Sequence, residues 1–316
     1  MCKAKTPTLL GFFLIILFSC PTQFLSAQEF NSNQLLHAVK VLASDSLEGR
    51  GFGAEGNEKA RRFIAAQFKA LGVAPALSEG YFQKFEHRVP KAGIFDAKGK
   101  RELPKGSRMA VGANVLAKIE GESTKMIVIT AHYDHLGIIR GEIYNGADDN
   151  ASGTAALLAI AEYFKRNTPT HTLLFAAVDA EEIGSPGTKY LFKNFPGEKE
   201  DIVLNVNMDM IAHNDKELYV CGTYHYPKLK PYVSSIESSI QILFGHDNPN
   251  DRKKDDWSNS SDHRIFHNAG IPFLYFGVED HEDYHKATDT YENINPDFYL
   301  ESVKVIIKTI KNFDKG

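Results

Sequence analysis

The sequence predicts an α/β fold, a single domain with a mostly parallel central β-sheet and helices on both faces. Two observations carry this. From Val111 onward, short β-branched apolar runs alternate with segments of helical spacing. The runs are apolar on both faces, as strands covered by helices on two sides must be. Neither an internal repeat nor a low-complexity linker divides the chain, and its 316 residues can bury one large core. Hydrophobic residues make up 43% and charged residues 24%, with a formal net charge of −4. That balance excludes fibrous and disordered classes and gives no attraction to nucleic-acid phosphates.

Each element follows in order. Lys3 and Lys5 precede an apolar run over residues 9–18, too short for a stable membrane span and suited to the core of an export signal. Leu25-Ser26-Ala27 before Gln28 reads as a signal-peptidase site, while Leu17-Phe18-Ser19-Cys20 offers a competing lipoprotein site. Residues 1–27 are therefore expected to be a leader, and residues 28–316 an exported domain, periplasmic or extracellular. Cys221 is then the sole thiol, without an internal disulfide partner, and reads as a small buried apolar residue. Residues 28–72 form a helical lead-in, with helical spacing over 33–47 and 57–71, the second stopped by Gly72. A strand over 81–89 runs into a Pro/Lys/Gly-rich loop or hairpin at 90–105. Strands follow at 114–119, 126–130, 172–178, 202–208, 218–221 and 272–276, with helices at about 151–166, 187–194, 228–244 and 296–313. The polar stretch 245–262 reads as a long surface loop.

The polar residues fall at the ends of these strands. The run ending at Thr130 leads into Ala131-His132-Tyr133-Asp134-His135, the run ending at Val178 into Asp179-Ala180-Glu181-Glu182, and the run ending at Met208 into Asp209. The last strand leads through an acidic loop to Tyr284-His285, and Asp148-Asp149-Asn150 precedes an apolar helix. In open α/β sheets the functional crevice lies at the carboxyl ends of the strands. That edge collects His132, Asp149, Glu182, Asp209 and His285. Two imidazoles and three carboxylates suit Zn²⁺, with Mn²⁺ or Co²⁺ also compatible. Five ligands exceed the needs of one catalytic zinc, so two ions sharing a bridging carboxylate are expected. Asp134 is placed to fix the tautomer of His132, and Glu181 to act as general base.

The motifs AHYDHLG (131–137), NGADDNASG (145–153), DAEEIGSPGT (179–188), NVNMDM (205–210), SDHRIFHNAGIPFLYFG (261–277) and YHKATDT (284–290) resemble those of the secreted bacterial zinc aminopeptidases. The wider relatives of that family include glutamate carboxypeptidases and glutaminyl cyclases. The segment LASDSLEGRGFGAEGNEKA (42–60) resembles the family's N-terminal segment, so the likeness covers nearly all of residues 28–316. It implies a zinc-exopeptidase (phosphorylase/hydrolase-like) fold and two zinc ions held by His132, Asp149, Glu182, Asp209 and His285, with Asp149 bridging. It further implies a cis peptide between Asp149 and Asn150, Glu181 as base, and Tyr284 as donor to the reaction's oxyanion. Asp262 and His263 read as helix-capping and supporting groups, and Leu47-Glu48-Gly49-Arg50 as a brace for the lead-in.

The resemblance implies hydrolysis of the first residue from peptides with a free N-terminus. The ligands alone would serve many amide hydrolases. A glutaminyl-cyclase-like acyl transferase would use one zinc, a glutamate-type carboxypeptidase would need a cationic pocket that the sequence does not place, and a non-catalytic binding ectodomain would have lost a ligand or the base.

Overall fold

The computed structural model describes residues 29–89 and 108–316, together with 1, 3 and 4. The expected leader and the 90–105 loop thus lie essentially outside the described residues.

Helix α1 (Ser32–Leu42) starts where the Asn31 side chain accepts the N–H groups of Asn33 and Gln34, and it buries the stripe Leu35, Ala38, Val39 and Leu42. It stops short of the expected residue 47. A tight turn over Asp45–Arg50 follows, in which Glu48, Gly49 and Arg50 all take left-handed backbone angles that no helix can continue. Helix α2 (Glu55–Ala70) then leads to strands β1 (Ala74–Pro75), β2 (Phe82–Val89), β3 (Arg108–Ile119) and β4 (Ser123–His132). A small hairpin of β5 (Gly137–Ile139) and β6 (Glu142–Tyr144) precedes α3 (Gly153–Arg166), β7 (His171–Val178), α4 (Pro186–Lys193), β8 (Ile202–Met208) and β9 (Glu217–Cys221). The chain ends through α5 (Lys230–Ser234), β10 (Gln241–Phe244), α6 (His263–Asn268), β11 (Phe273–Gly277) and α7 (Pro296–Lys315).

The main sheet has nine strands in the order β1-β3-β7-β4-β8-β11-β9-β10, with β2 also paired to β3. Its centre, β7-β4-β8-β11, is parallel, while β3 and β9 join it antiparallel on either side. The mostly parallel α/β sheet expected from the sequence is therefore present, with mixed flanks. Its central strands are buried along nearly their whole length, which is why they read as mostly apolar runs, broken in β8 by the buried Asn205 and Asn207. Cys221 is buried as expected, its thiol donating to the Gly245 carbonyl at 3.0 Å. Among the described residues no helix is long and apolar enough to cross a membrane.

The helix expected over 228–244 is corrected. Helix α5 ends at Ser234, and residues 241–244 instead form β10, paired in parallel with β9 from Gln241↔Glu217 to Phe244↔Val220. Polar Ser234, Ser235, Ser238 and Ser239 interrupt the helix, and the flank of β9 offers backbone groups that a strand rich in Ile, Leu and Phe satisfies better.

Candidate metal centre

The four parallel strands of the sheet centre end together, and their following residues converge. His132 closes β4, Glu181 and Glu182 occupy the turn after β7, Asp209 follows β8, and His285 lies in the loop after β11. Asp149 enters from the turn before α3. All five residues expected as ligands come together around it. His132 Nε2 lies 3.3 Å from Asp149 Oδ1 and 3.1 Å from Asp209 Oδ1. On the other side, His285 Nε2 lies 3.1 Å from Asp149 Oδ2 and 3.6 Å from Glu182 Oε2. Zinc bonds of about 2.0–2.2 Å arranged tetrahedrally put neighbouring donors roughly 3.3–3.6 Å apart, within about 0.2 Å of these separations, so ions could be seated between them.

The electrostatics point the same way. Burial disfavours charge on every group here, yet His135, His132 and His285 hold the Asp149 carboxyl well below its usual range. Burial also pulls the His132 imidazole down, but Asp209, Asp134 and Asp149 together raise it well above its usual range. The same contest lifts His285 to about 9, through Asp149, Glu182 and Glu181. A pocket that raises imidazoles this way has more buried carboxylate than the protein's own cations balance, which is the charge deficit a pair of divalent ions would fill.

Glu181 sits beside this cluster. Burial, with Asp262, Glu182 and Asp209, holds it well above the ordinary carboxyl range against the opposing pull of His132. The Ser185 hydroxyl donates to its Oε1 at 3.3 Å, and Arg264 Nη2 in turn donates to that hydroxyl at 2.9 Å. Asp134 has two tasks. Its carboxylate accepts the N–H groups of Glu181 and Glu182 at 2.9 and 3.3 Å, fixing the turn that presents both acids. The Nδ1–H of His132 meets the Asp134 carbonyl oxygen at 3.1 Å, with carboxylate Oδ1 at 3.6 Å, so main chain and side chain of Asp134 share the orienting role.

Residues 114–310 match the sequence profile of peptidase family M28. The chain belongs to that family. Aminopeptidase YwaD of Bacillus subtilis is 31% identical over 181 residues, covering 54% of this chain and 37% of that protein. The first curated relatives are matched over only 37 to 53% of their own length. Among solved structures, the aminopeptidase from Aneurinibacillus sp. strain AM-1 superposes with a TM-score of 0.71 at 16% identity, covering 90% of this chain and 94% of that one. Glutaminyl cyclase of Porphyromonas gingivalis superposes with a TM-score of 0.63 at 18% identity, covering 90% and 99%. Both likenesses show the shared fold.

The site stands on further supports, of which the cis Asp149-Asn150 peptide was expected from the resemblance and the hydrogen bonds around it were not. Asp289 accepts the N–H groups of Asp148 and Asp149 at 2.8 and 3.0 Å. Asp148 accepts the Ala212 N–H at 2.6 Å and His281 Nε2–H at 3.1 Å. The Asp149-Asn150 peptide is cis, and the Asn150 carboxamide bridges the Met208 carbonyl and the Gly153 N–H. His213, His281 and Asp283 form a further grouping, with the two rings stacked 3.8 Å apart. His281 already uses both nitrogens, donating to Asp148 and accepting the Asp283 N–H at 3.2 Å, so this group buttresses Asp148.

Arg50 is the brace the sequence suggested. Fully buried, it donates to the carbonyls of Tyr133 (2.7 Å), Leu42 (2.6 Å), Asn145 (2.5 Å) and Gly146 (2.8 Å). Asp179, pushed up to about 7 by burial and by Asp134, accepts from Asn57, Tyr133 and the Ala113 N–H. Asp262 makes no capping bond at the start of α6; it accepts the Thr188 hydroxyl instead. His263 donates to the Trp257 carbonyl at 2.8 Å. Tyr284 stacks on His285 with ring centroids 4.0 Å apart, and burial together with Asp149, Glu182 and Asp209 keeps its hydroxyl protonated.

Sequence reasoning overlooked one buried group at the centre. His135 Nδ1 lies 2.8 Å from Glu182 Oε1 and 3.6 Å from Asp149 Oδ2. Its place in the same strand-end motif as His132, AHYDHLG, was the signal available.

Proposed function

We propose that this chain is an aminopeptidase that binds two zinc ions and hydrolyses the first peptide bond of peptides with a free N-terminus. The observation that carries the reading is the Asp149 carboxylate, one oxygen facing His132 and the other facing His285. On this reading His132, Asp149 and Asp209 hold one ion, and Asp149, Glu182 and His285 the other. Zinc bound there supplies an acidified water and polarises the scissile carbonyl.

The remaining work falls to the chain's own residues. Glu181 takes a proton as general base and returns it to the leaving amine, a role favoured by its raised carboxyl. Ser185, steadied by Arg264, holds Oε1 of Glu181 in place. Asp134 fixes both the Glu181-Glu182 turn and the ring of His132. The Tyr284 hydroxyl is a donor to the negative oxygen that develops on the substrate carbonyl. A glutamate-type carboxypeptidase would need a cation for its substrate's carboxylate, and Arg264, beside Glu181, is engaged by Ser185. The completeness of both donor sets favours this reading over one-zinc cyclisation.

We further propose that the enzyme works outside the cytoplasm after loss of residues 1–27, on the basis of Lys3, Lys5, the apolar run 9–18 and the site before Gln28. One experiment tests both readings. The full chain is expressed for export, and the product is sequenced from its N-terminus, analysed for metal and assayed on unblocked and N-acetylated peptides. The expected product begins at Gln28, carries about two zincs per chain and cleaves only unblocked peptides. Glu181→Gln should lower kcat by about 10²–10⁴-fold with zinc retained. About one zinc, with N-terminal Gln cyclised and no hydrolysis, would replace this reading by the acyl transferase. A lipid-modified Cys20 at the N-terminus would replace soluble export by a membrane anchor.

A further inference from the structure

We propose that His135 is a fourth protein donor to the ion held by Asp149, Glu182 and His285, so that the two metal subsites are unequal. The inference rests on the two-metal reading above and goes beyond the five ligands that the sequence motifs supply.

His135 is buried, and neither ring nitrogen has a hydrogen-bond partner. Nδ1 nevertheless lies 2.8 Å from Glu182 Oε1 and 3.6 Å from Asp149 Oδ2. A separation of 2.8 Å without hydrogen-bond alignment means that the nitrogen is not aimed at the carboxylate oxygen. One donor atom each from His135, Asp149 and Glu182 lies within 4.8 Å of the others, close enough for the three to hold one ion between them. Neither nitrogen makes an aligned hydrogen bond, and a buried polar group left so costs about 1–3 kcal/mol, so an ion shared by Nδ1 and the neighbouring carboxylates would stabilise the ring where it lies.

The ring is also fixed in place. Gly146, at φ +57°, packs directly against it: a Cβ there would fall 2.5 Å from both Cγ and Cδ2 of His135. Only glycine suits that position, on conformational and steric grounds alike. Arg50 ties the carbonyl of Gly146 to that of Tyr133, two residues before His135, so both walls of the ring's slot are anchored. His285 is different in kind. It comes from a loop, has a φ of +54° and is 36% exposed, and its ring centroid lies 5.9 Å from that of His135. The subsite therefore draws one rigid, buried imidazole and one peripheral imidazole to the same pair of carboxylates.

The consequence is an asymmetry of affinity. His132, Asp149 and Asp209 offer three side chains, the number that leaves zinc an open position, whereas Asp149, Glu182, His285 and His135 offer four, the number that closes a tetrahedral site. The four-donor subsite should fill first and release its ion last.

The test uses the native chain, labelled with ¹⁵N-histidine, stripped of metal and titrated with ¹¹³Cd²⁺. Imidazole nitrogens bonded to the metal are read by their ¹¹³Cd–¹⁵N coupling, without reference to activity. The first equivalent should couple to His135 and His285, and the second should add His132. Coupling to His132 and His285 alone, with His135 uncoupled, would overturn the proposal and leave the metal centre standing. Coupling to no imidazole would overturn both. As a second readout, calorimetric titration of His135→Gln with Zn²⁺ should show the tighter of the two affinities weakened by more than about 100-fold, beyond the 10–100-fold lost when a group merely hydrogen-bonded to a ligand is removed. A weakening of about 100-fold or less would make His135 a positioning residue for Glu182 and refute its role as a ligand.

Discussion

The histidines of this chain show how one side chain is driven to opposite states by what surrounds it. His285 is lifted to about 9 because Asp149 and Glu182 outweigh its burial. His263 has no carboxylate to offset burial and is pressed down to about 3, while Arg264 and His267 oppose its charge further. Its Nε2–H donates to the Trp257 carbonyl, a bond the neutral ring can make. The sign of the linkage follows. Once unfolded, His263 protonates near its usual 6.5, so unfolding takes up a proton below that pH. Stability held in full above about pH 6.5 is lost as the pH falls toward 3, by about 2 kcal/mol at pH 5 from this residue alone. Urea unfolding of the native chain and of His263→Gln at pH 7 and pH 5 isolates the effect, because the ligand groups titrate in both proteins. The native chain should lose about 2 kcal/mol more than the variant between the two pH values. Equal losses would mean that His263 accepts its proton in the folded state.

At the level of elements, the turn from Gly146 to Ser152 decides where Asp149 points, and it is held from outside itself. Asp289, 140 residues away in sequence, accepts two of its N–H groups. Asp289→Ala would leave both donors buried and unmet, at a cost of about 3 kcal/mol, and should weaken zinc binding by about 10–100-fold, as loss of a ligand's hydrogen-bonding support does. Thermal unfolding and zinc retained after dialysis check it, and a variant that keeps native zinc affinity would show that the turn holds itself. Such supports mark the limit of legibility. His132, Asp149, Glu182, Asp209 and His285 could be read because each lies at a strand end or in the loop that follows, in a motif of recognisable spacing. Asp289 was visible within YHKATDT, but its task depends on a meeting that no spacing encodes. The segment 228–244 failed for a related reason. Its apolar residues fit helical spacing, yet an open strand flank of β9 took the last four residues, a tertiary demand that local pattern does not contain. The central strands were legible because burial on both faces leaves a predominantly apolar signature in the sequence itself.

For the whole molecule, Arg50 fastens the lead-in to the segments that carry the candidate metal centre. Its guanidinium reaches Leu42 of the lead-in, Tyr133 beyond β4, and Asn145 and Gly146 before the Asp149 turn. Burial lowers it to about 10, with Asp289, Asp149, Asp134 and Glu182 acting at longer range to keep it charged. A planar five-donor fork can serve four carbonyls in different directions. A lysine ammonium has three donors on one atom and cannot reach them all. Arg50→Lys should therefore cost about 3 kcal/mol or more of stability, from carbonyls left buried and unmet. Because three of the four carbonyls belong to segments carrying His132, Asp134, His135 and Asp149, the loss should extend to the metal centre. Ligand that binds only the folded chain at 100 times its dissociation constant adds about 2.7 kcal/mol per site, so zinc should raise the melting temperature of the native protein markedly and that of Arg50→Lys much less. Calorimetric melting of both proteins, zinc-loaded and chelated, separates the two effects. A variant that melts early yet gains the full increment from zinc would confine Arg50 to bracing the lead-in, whereas a reduced increment would mean that the lead-in's closure onto the sheet is part of how the site is assembled.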